Sequence, residues 1–217
     1  MPKKKKRPAY AISTRSRTAI IVSALLLGAL FVWLDHSPAK YKWQQPKTSR
    51  NVKACDLQKY HEKTFTIIKV VDGDTIDIDI PDGKYEHTRI RLWGIDTPET
   101  KNPKLGVMYF GPQAADFTRK LTLGKPVQVY LEEHRTRGKY DRLLAYVKLP
   151  DGRFLNEVLL TEGFAYADLR FRHSFYNKYR QLEASARSQK KGLWEEVTRP
   201  QLPEWLQRKR AHLLLNK

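Results

Sequence analysis

Three short stretches of this 217-residue chain gather residue types that can act together on a phosphate ester. The first is Val71-Asp72-Gly73-Asp74-Thr75. The second runs from Arg91 through Gly94-Ile95-Asp96-Thr97-Pro98-Glu99 to Thr100. The third is Lys139-Tyr140-Asp141-Arg142, leading into Leu143-Leu144-Ala145-Tyr146. Cleaving a phosphodiester requires positive charge placed in advance around a highly anionic transition state. It also requires a water that is held and deprotonated. Carboxylate oxygens select a hard cation such as Ca²⁺ or Mg²⁺, and the planar fork of arginine matches phosphate oxygens two at a time. Asp74 and Asp96 could serve the cation, Arg91 and Arg142 the phosphate, and Glu99 the water. Taken singly, each piece has a plainer reading. Asp-Gly-Asp is a turn, Asp96-Thr97-Pro98-Glu99 resembles a capped helix start, and Arg142 alone is a solvated strand residue. The specificity lies in the set and its order.

The flanking pattern supplies elements to position these groups. Residues 64–71 form a β-rich run, Asp72-Gly73 a turn, and Thr75–Ile80 alternates with Ile76, Ile78 and Ile80 on one face. Pro81-Asp82-Gly83 predicts a hairpin turn. Further strands are predicted at Thr88–Trp93, Val127–Leu131 and Leu143–Leu149, with a loop from Gly94 to about Tyr109. Helices are predicted from Gly111-Pro112, over Leu155–Glu162 up to Gly163, and near Ser174–Lys191. Five strands with helices inserted late fit an α+β protein built on a small OB-type barrel. Period counting alone does not choose it over another α+β fold.

The stretches Val70–Thr75, Arg91–Thr100, Tyr109–Thr118 and Lys139–Tyr146, with Asn156-Glu157 and Glu162-Gly163 following in register, resemble the staphylococcal nuclease family. The resemblance covers about residues 63–194. It implies an OB-type five-stranded β-barrel with three helices. It implies hydrolysis of DNA and possibly RNA with little sequence preference, using Ca²⁺, with Mg²⁺ as a weaker substitute. By position, Asp74, Asp96 and the main-chain oxygen of Thr97 would hold the metal, and Arg91 and Arg142 the phosphate. Glu99 would position or deprotonate the attacking water. Lys139 and Tyr140 would lie beside the substrate phosphate and base. Phe171 falls near where the family places a stacking tyrosine and can still stack; Leu169, at a similar place, cannot. Position 141 is Asp where the family commonly has Gly, which puts the hold of Arg142 on phosphate in question.

The formal charge of +18 favours polyanion partners, nucleic acid or an anionic membrane surface. Part of it is local to residues 1–17, which are basic without an acid. Residues 18–34 are uncharged and apolar, at the short end of a membrane span. With the basic flank ahead of it, that segment predicts a single anchor with its N-terminus in the cytoplasm and the remainder outside. Secretion after cleavage near Ala39 is the alternative. The predicted organisation is a basic segment (1–17), a transmembrane helix (18–34), a linker (35–58), the nuclease-like domain (59–195) and a basic tail (196–217). The single cysteine, Cys55, excludes an intrachain disulfide and a cysteine-rich metal site. The leading expectation is a membrane-anchored, monomeric nuclease. The competing one is a non-catalytic nucleic-acid-binding OB module at the membrane. The full set of acids and arginines favours the enzyme.

Overall fold

The computed structural model describes residues 50–100 and 106–209. The predicted anchor at 18–34, its basic flank and most of the predicted linker lie outside the described residues. Among the described residues, no helix is long and apolar enough to cross a membrane.

Seven strands are described: β1 (Lys63–Asp72), β2 (Thr75–Ile78), β3 (Thr88–Leu92), β4 (Ile95–Asp96), β5 (Pro126–Tyr130), β6 (Leu143–Lys148) and β7 (Tyr166–Ala167). Five of them close a barrel in the order β1-β2-β3-β6-β5, with β5 returning to β1. All barrel pairings are antiparallel except β3 with β6. The alternating aliphatics fill the interior: Ile67, Ile76, Ile78, Ile90, Leu92, Val127, Val129, Leu143 and Val147 are almost wholly buried. Each such side chain contributes about 1.5–3 kcal/mol of burial. The five-stranded barrel predicted from the sequence is therefore present.

β1 is not regular. Its register against β2 shifts between Ile67 and Lys69 and again between Val70 and Asp72. The extra residues, Ile68 and Val71, are left exposed. A bulge of this kind re-aims the side chains that follow it. Here the side chain after the second bulge is Asp72, which is buried at the end of the strand.

Among the described residues five α-helices accompany the strands: α1 (Arg50–Tyr60), α2 (Gly111–Thr122), α3 (Leu155–Thr161), α4 (Tyr176–Ser188) and α5 (Glu204–Lys209). Three stand where the sequence predicts helices. The other two fall outside the helices predicted. α1 occupies the end of the stretch read as linker, because its anchors are Tyr60 and a buried acid, Asp56, rather than an apolar stripe. α5 lies in the stretch read as basic tail. Leu202 and Leu206 bury themselves there in a second small core with Tyr166, Ala186, Leu193, Trp194 and Val197. That core sits under the β4–β7 ribbon, in which Ile95 pairs with Ala167 and Asp96 with Tyr166. β4 opens the stretch read as a loop; a two-residue strand is too short to show a period.

Candidate active site

The β1–β2 turn is held from two sides. The Gly73 N–H donates to Asp72 Oδ1 (2.9 Å), and Thr118 Oγ1 on α2 donates to the Gly73 carbonyl (2.7 Å). A Cβ on Gly73 would come within 2.8 Å of Thr97 Oγ1, so only glycine lets the turn and the Thr97 loop meet. That meeting fixes Asp74: its Oδ2 accepts from the Thr97 N–H (2.8 Å) and its Oδ1 from the Thr75 hydroxyl (3.0 Å). Arg91, opposite Thr75 on β3, reaches across to both aspartates. Its Nη1 contacts Asp74 Oδ2 and its Nη2 donates to Asp96 Oδ1. Asp96 Oδ2 accepts from the indole N–H of Trp205 at 2.7 Å.

Glu99 is positioned by the start of α2. The Met108 N–H donates to the Glu99 carbonyl (3.0 Å), and a Cβ on Gly111 would lie 2.6 Å from that same oxygen. The Glu99 side chain keeps a solvent-exposed flank, but its carboxyl end is crowded. Desolvation there, a hydrogen bond shared with Asp72, and the charges of Asp72 and Asp96 push its pKa up to about 7. Arg91 opposes this only in part. The site thus crowds more carboxylate around Arg91 than that one cation can neutralise, and the pKa of Glu99 rises in response.

Arg142 follows the Lys139–Asp141 turn. Its Nε donates to the Lys139 carbonyl at 3.3 Å, and no carboxylate among the described residues lies at ion-pair distance from it. Partial burial and the charge of Arg91 lower its pKa, yet a guanidinium stays charged. It is a cation free for an incoming anion. Tyr140 is 77% exposed, with Lys139 Nζ 4.6 Å from its ring centroid. Tyr140 and Asp141 both adopt positive φ, 60° and 58°. This explains the departure at position 141. The backbone there is left-handed, which glycine adopts freely and aspartate tolerates at about 1 kcal/mol. The Asp141 side chain is exposed and forms no ion pair with Arg142; its carbonyl accepts from Arg137 Nη1 (3.0 Å).

A cleft of about 960 Å³ is lined by Asp72, Arg89, Glu99, Tyr140 and Arg142 and by Tyr85 of the β2–β3 hairpin. Asp74, Arg91, Asp96 and Thr97 lie outside that lining and join it through the contacts of Arg91 and the charges around Glu99. The structure therefore brings together Asp74, Arg91, Asp96, Thr97, Glu99 and Arg142, with Tyr140 and its lysine at the rim. It does not bring Phe171 there. Phe171 stacks on Trp93 (6.1 Å between centroids, 22° between planes), with the Arg135 guanidinium 5.1 Å from its ring. Three contributors escaped the sequence reading. Asp72 was passed over as turn chemistry. Arg170 and Trp205 lie far along the chain, though Leu202, Trp205 and Leu206 show a helical 3–4 spacing.

Among the described residues, no three His, Cys, Asp or Glu side chains form a ready metal cage. The donor set still fits a hard divalent cation. Asp74 and Asp96 converge on one cationic group, surplus acid surrounds them, and Thr97 Oγ1 is buried without a partner beside Gly73. A cation that keeps several waters needs few protein oxygens.

Barrel, acidic pair and free arginine together make a small-barrel site suited to an anionic group and a hard cation. A profile described as "Staphylococcal nuclease homologue" matches residues 89–196. The chain is 36% identical over 143 residues to a thermonuclease of Staphylococcus hyicus, covering 65% of this chain and 82% of that protein. It is 35% identical over 185 residues to a thermonuclease of Staphylococcus intermedius, covering 82% and 96%. It is 35% identical over 133 residues to Endonuclease YncB of Bacillus subtilis (strain 168), covering 60% and 61%. The chain belongs to the staphylococcal nuclease family.

Proposed function

We propose that this protein is a nuclease that hydrolyses phosphodiester bonds of DNA, and of RNA where it is accessible, with Ca²⁺ as its preferred cation. The observation that carries this reading is the surplus of acid around Arg91, with Arg142 left free beside it. A purely structural cluster would have no use for either. Asp74, Asp96 and the main-chain oxygen of Thr97 would hold the cation. When bound, it would supply positive charge to a phosphate oxygen and to the attacking water.

The chain's own groups perform the remainder. Arg91 and Arg142 bind non-bridging phosphate oxygens and hold the charge that grows on them. Glu99, with a pKa near neutrality, takes the proton of the water as its oxygen bonds to phosphorus. The P–O bond to the departing sugar oxygen then breaks, that oxygen takes a proton from solvent water, and Glu99 returns its own proton to solvent. Tyr140 offers an exposed ring for a base, and Lys139 a charge for the neighbouring phosphate. Binding through these cations weakens with salt.

The test uses the purified full-length chain with single- and double-stranded DNA and RNA, in Ca²⁺, Mg²⁺ or EDTA, read on a gel. The expected result is Ca²⁺-dependent cleavage that EDTA abolishes. Arg91→Ala and Glu99→Gln should each lower the rate by roughly 10²-fold or more while DNA binding persists. Salt-sensitive binding without cleavage under any cation would overturn the reading in favour of a binding module.

A further inference from the structure

The C-terminal segment after Val197 reaches the candidate site from behind. Its helix α5 is pinned by Leu206 and by the preceding Leu202, both buried in the second core. The same core takes in Tyr166, whose ring meets Trp194 edge-on at 5.4 Å. Tyr166 is the strand partner of Asp96. The residues that seat α5 therefore also seat the strand that carries Asp96. From α5 the Trp205 indole N–H donates to Asp96 Oδ2 at 2.7 Å. Arg170 stacks on the indole (4.4 Å to the centroid), places Nη2 3.7 Å from Asp96 Oδ2, and is itself held by Asp168 through Nε (2.8 Å).

We propose that Trp205 is a positioning residue for Asp96: its indole N–H fixes the distal carboxylate oxygen so that the proximal one faces Asp74. This rests on the assignment of Asp96 as a cation ligand in the reading above. The division of labour between the two oxygens supports it. Oδ2 is engaged on the outer side by Trp205 and Arg170, whereas Oδ1 points to the centre where Arg91 and Asp74 meet. An indole is a donor only and carries no charge. It can therefore lock the rotation of the carboxylate without cancelling the charge a cation needs. Arg170 alone would hold Asp96 less well, since its closest approach is long and its best hydrogen bonds go to Asp168. Partners that orient ligating carboxylates typically contribute 10–100-fold in metal affinity.

The deciding variant is Trp205→Phe in the full-length chain. It keeps an aromatic ring against the second core and under Arg170, and removes the N–H together with part of the ring, a packing loss that the metal-free melting reads separately. Ca²⁺ binding is measured by calorimetry on chelator-stripped protein, alongside metal-free melting and the cleavage rate across a Ca²⁺ titration. The expected result is roughly tenfold weaker Ca²⁺ binding or more, with metal-free melting shifted by no more than about 4 °C. The cleavage rate should return towards wild type at saturating Ca²⁺. A residue that only packed the tail would change melting and leave Ca²⁺ affinity alone. Equal affinity of variant and wild type overturns the assignment and leaves the nuclease reading standing. A wild-type protein that binds no divalent cation overturns that reading and this inference together.

Discussion

Arg137 and Arg91 are each clamped between two aspartates, and the clamps have opposite character. Arg137 lies between Asp56 of α1 and Asp82 of the β2–β3 hairpin. Its Nε donates to Asp56 Oδ2 (2.9 Å), its Nη2 to Asp82 Oδ1 (3.1 Å) and its Nη1 to the Asp141 carbonyl (3.0 Å), while Thr136 adds a hydroxyl to Asp56 (2.7 Å). Burial works against the charge of Arg137, but the hydrogen bonds and charges of the two aspartates more than offset it and raise its pKa. Donors and acceptors match, so nothing is left over for a ligand. Arg91 lies between Asp74 and Asp96, with Asp72 and Glu99 crowding the same space. There the acids outnumber the cation, and the pKa of Glu99 is pushed up to about 7 as a result. The same residue types make a strut where charge balances and a site where it does not.

The largest effect should come from breaking the strut. Asp56→Ala leaves Arg137 buried with one partner gone, a change that costs about 3–5 kcal/mol. Denaturant unfolding should show the midpoint falling with the slope unchanged. The loop that presents Lys139, Tyr140 and Arg142 should loosen as well, because Arg137 also holds the Asp141 carbonyl. A loss below about 1 kcal/mol would mean that the cluster is not the matched network its geometry describes. The opposite response is expected at the site. Asp74→Asn keeps an acceptor for the Thr97 N–H and removes one surplus charge, so stability in EDTA should change by less than ~1 kcal/mol. Wild type should gain about 2.7 kcal/mol when Ca²⁺ is raised to a hundred times its Kd. Asp74→Asn at the same Ca²⁺ concentration should gain much less, as read by melting with and without the ion. An identical Ca²⁺ gain in the variant would erase the distinction between the two clamps.

The contrast also shows what a sequence can carry. The barrel was legible because Ile76, Ile78, Ile90, Val127 and Val129 alternate, and alternation is a direct trace of a buried sheet face. Most of the site was legible because its residues fall within three short runs. The strut was invisible. Asp56, Asp82 and Arg137 are far apart in the chain, and a buried ion pair leaves no periodic mark. α1 was missed for the same reason, since polar groups anchor it. Phe171 was assigned by position to nucleotide stacking. Nothing in the sequence shows that Trp93 and Arg135 would gather it into a layer of their own. Trp205 belongs to a tail whose basic residues mask three apolar positions at helical spacing.

Another buried acid, Glu132, sharpens the comparison, because no arginine among the described residues neutralises it. Burial would raise the pKa of Glu132, but hydrogen bonds from Tyr146 and Ser174 and the nearby charge of His134 outweigh it and hold the pKa below its ordinary value. The hydroxyl of Tyr146 lies 3.1 Å from His173 Nδ1. The His173 ring is packed so closely on Gly94 that a Cβ there would come within 2.5 Å. Burial lowers the pKa of His173, helped by His134 and opposed by Glu132 and Asp168. The sign follows from which state takes the proton. The unfolded chain protonates this histidine below about pH 6.5, while the folded protein takes up that proton only at lower pH. Stability is therefore unaffected by His173 above that pH and falls as pH drops beneath it. A single proton sets a ceiling of about 1.4 kcal/mol per pH unit. The depressed Glu132 acts in a separate window, losing its contribution only below about pH 4.5. Glu99, its pKa pushed up to about 7, adds stability over the same window as pH falls, so the test is made in a Glu99→Gln background. Unfolding free energies at pH 7.5, 6.5 and 5.5 should decline across the last step, and adding His173→Asn should flatten that decline while lowering stability at every pH. If the variant keeps the full decline, the acid sensitivity comes from other groups, and the network around Glu132 tolerates a charged histidine.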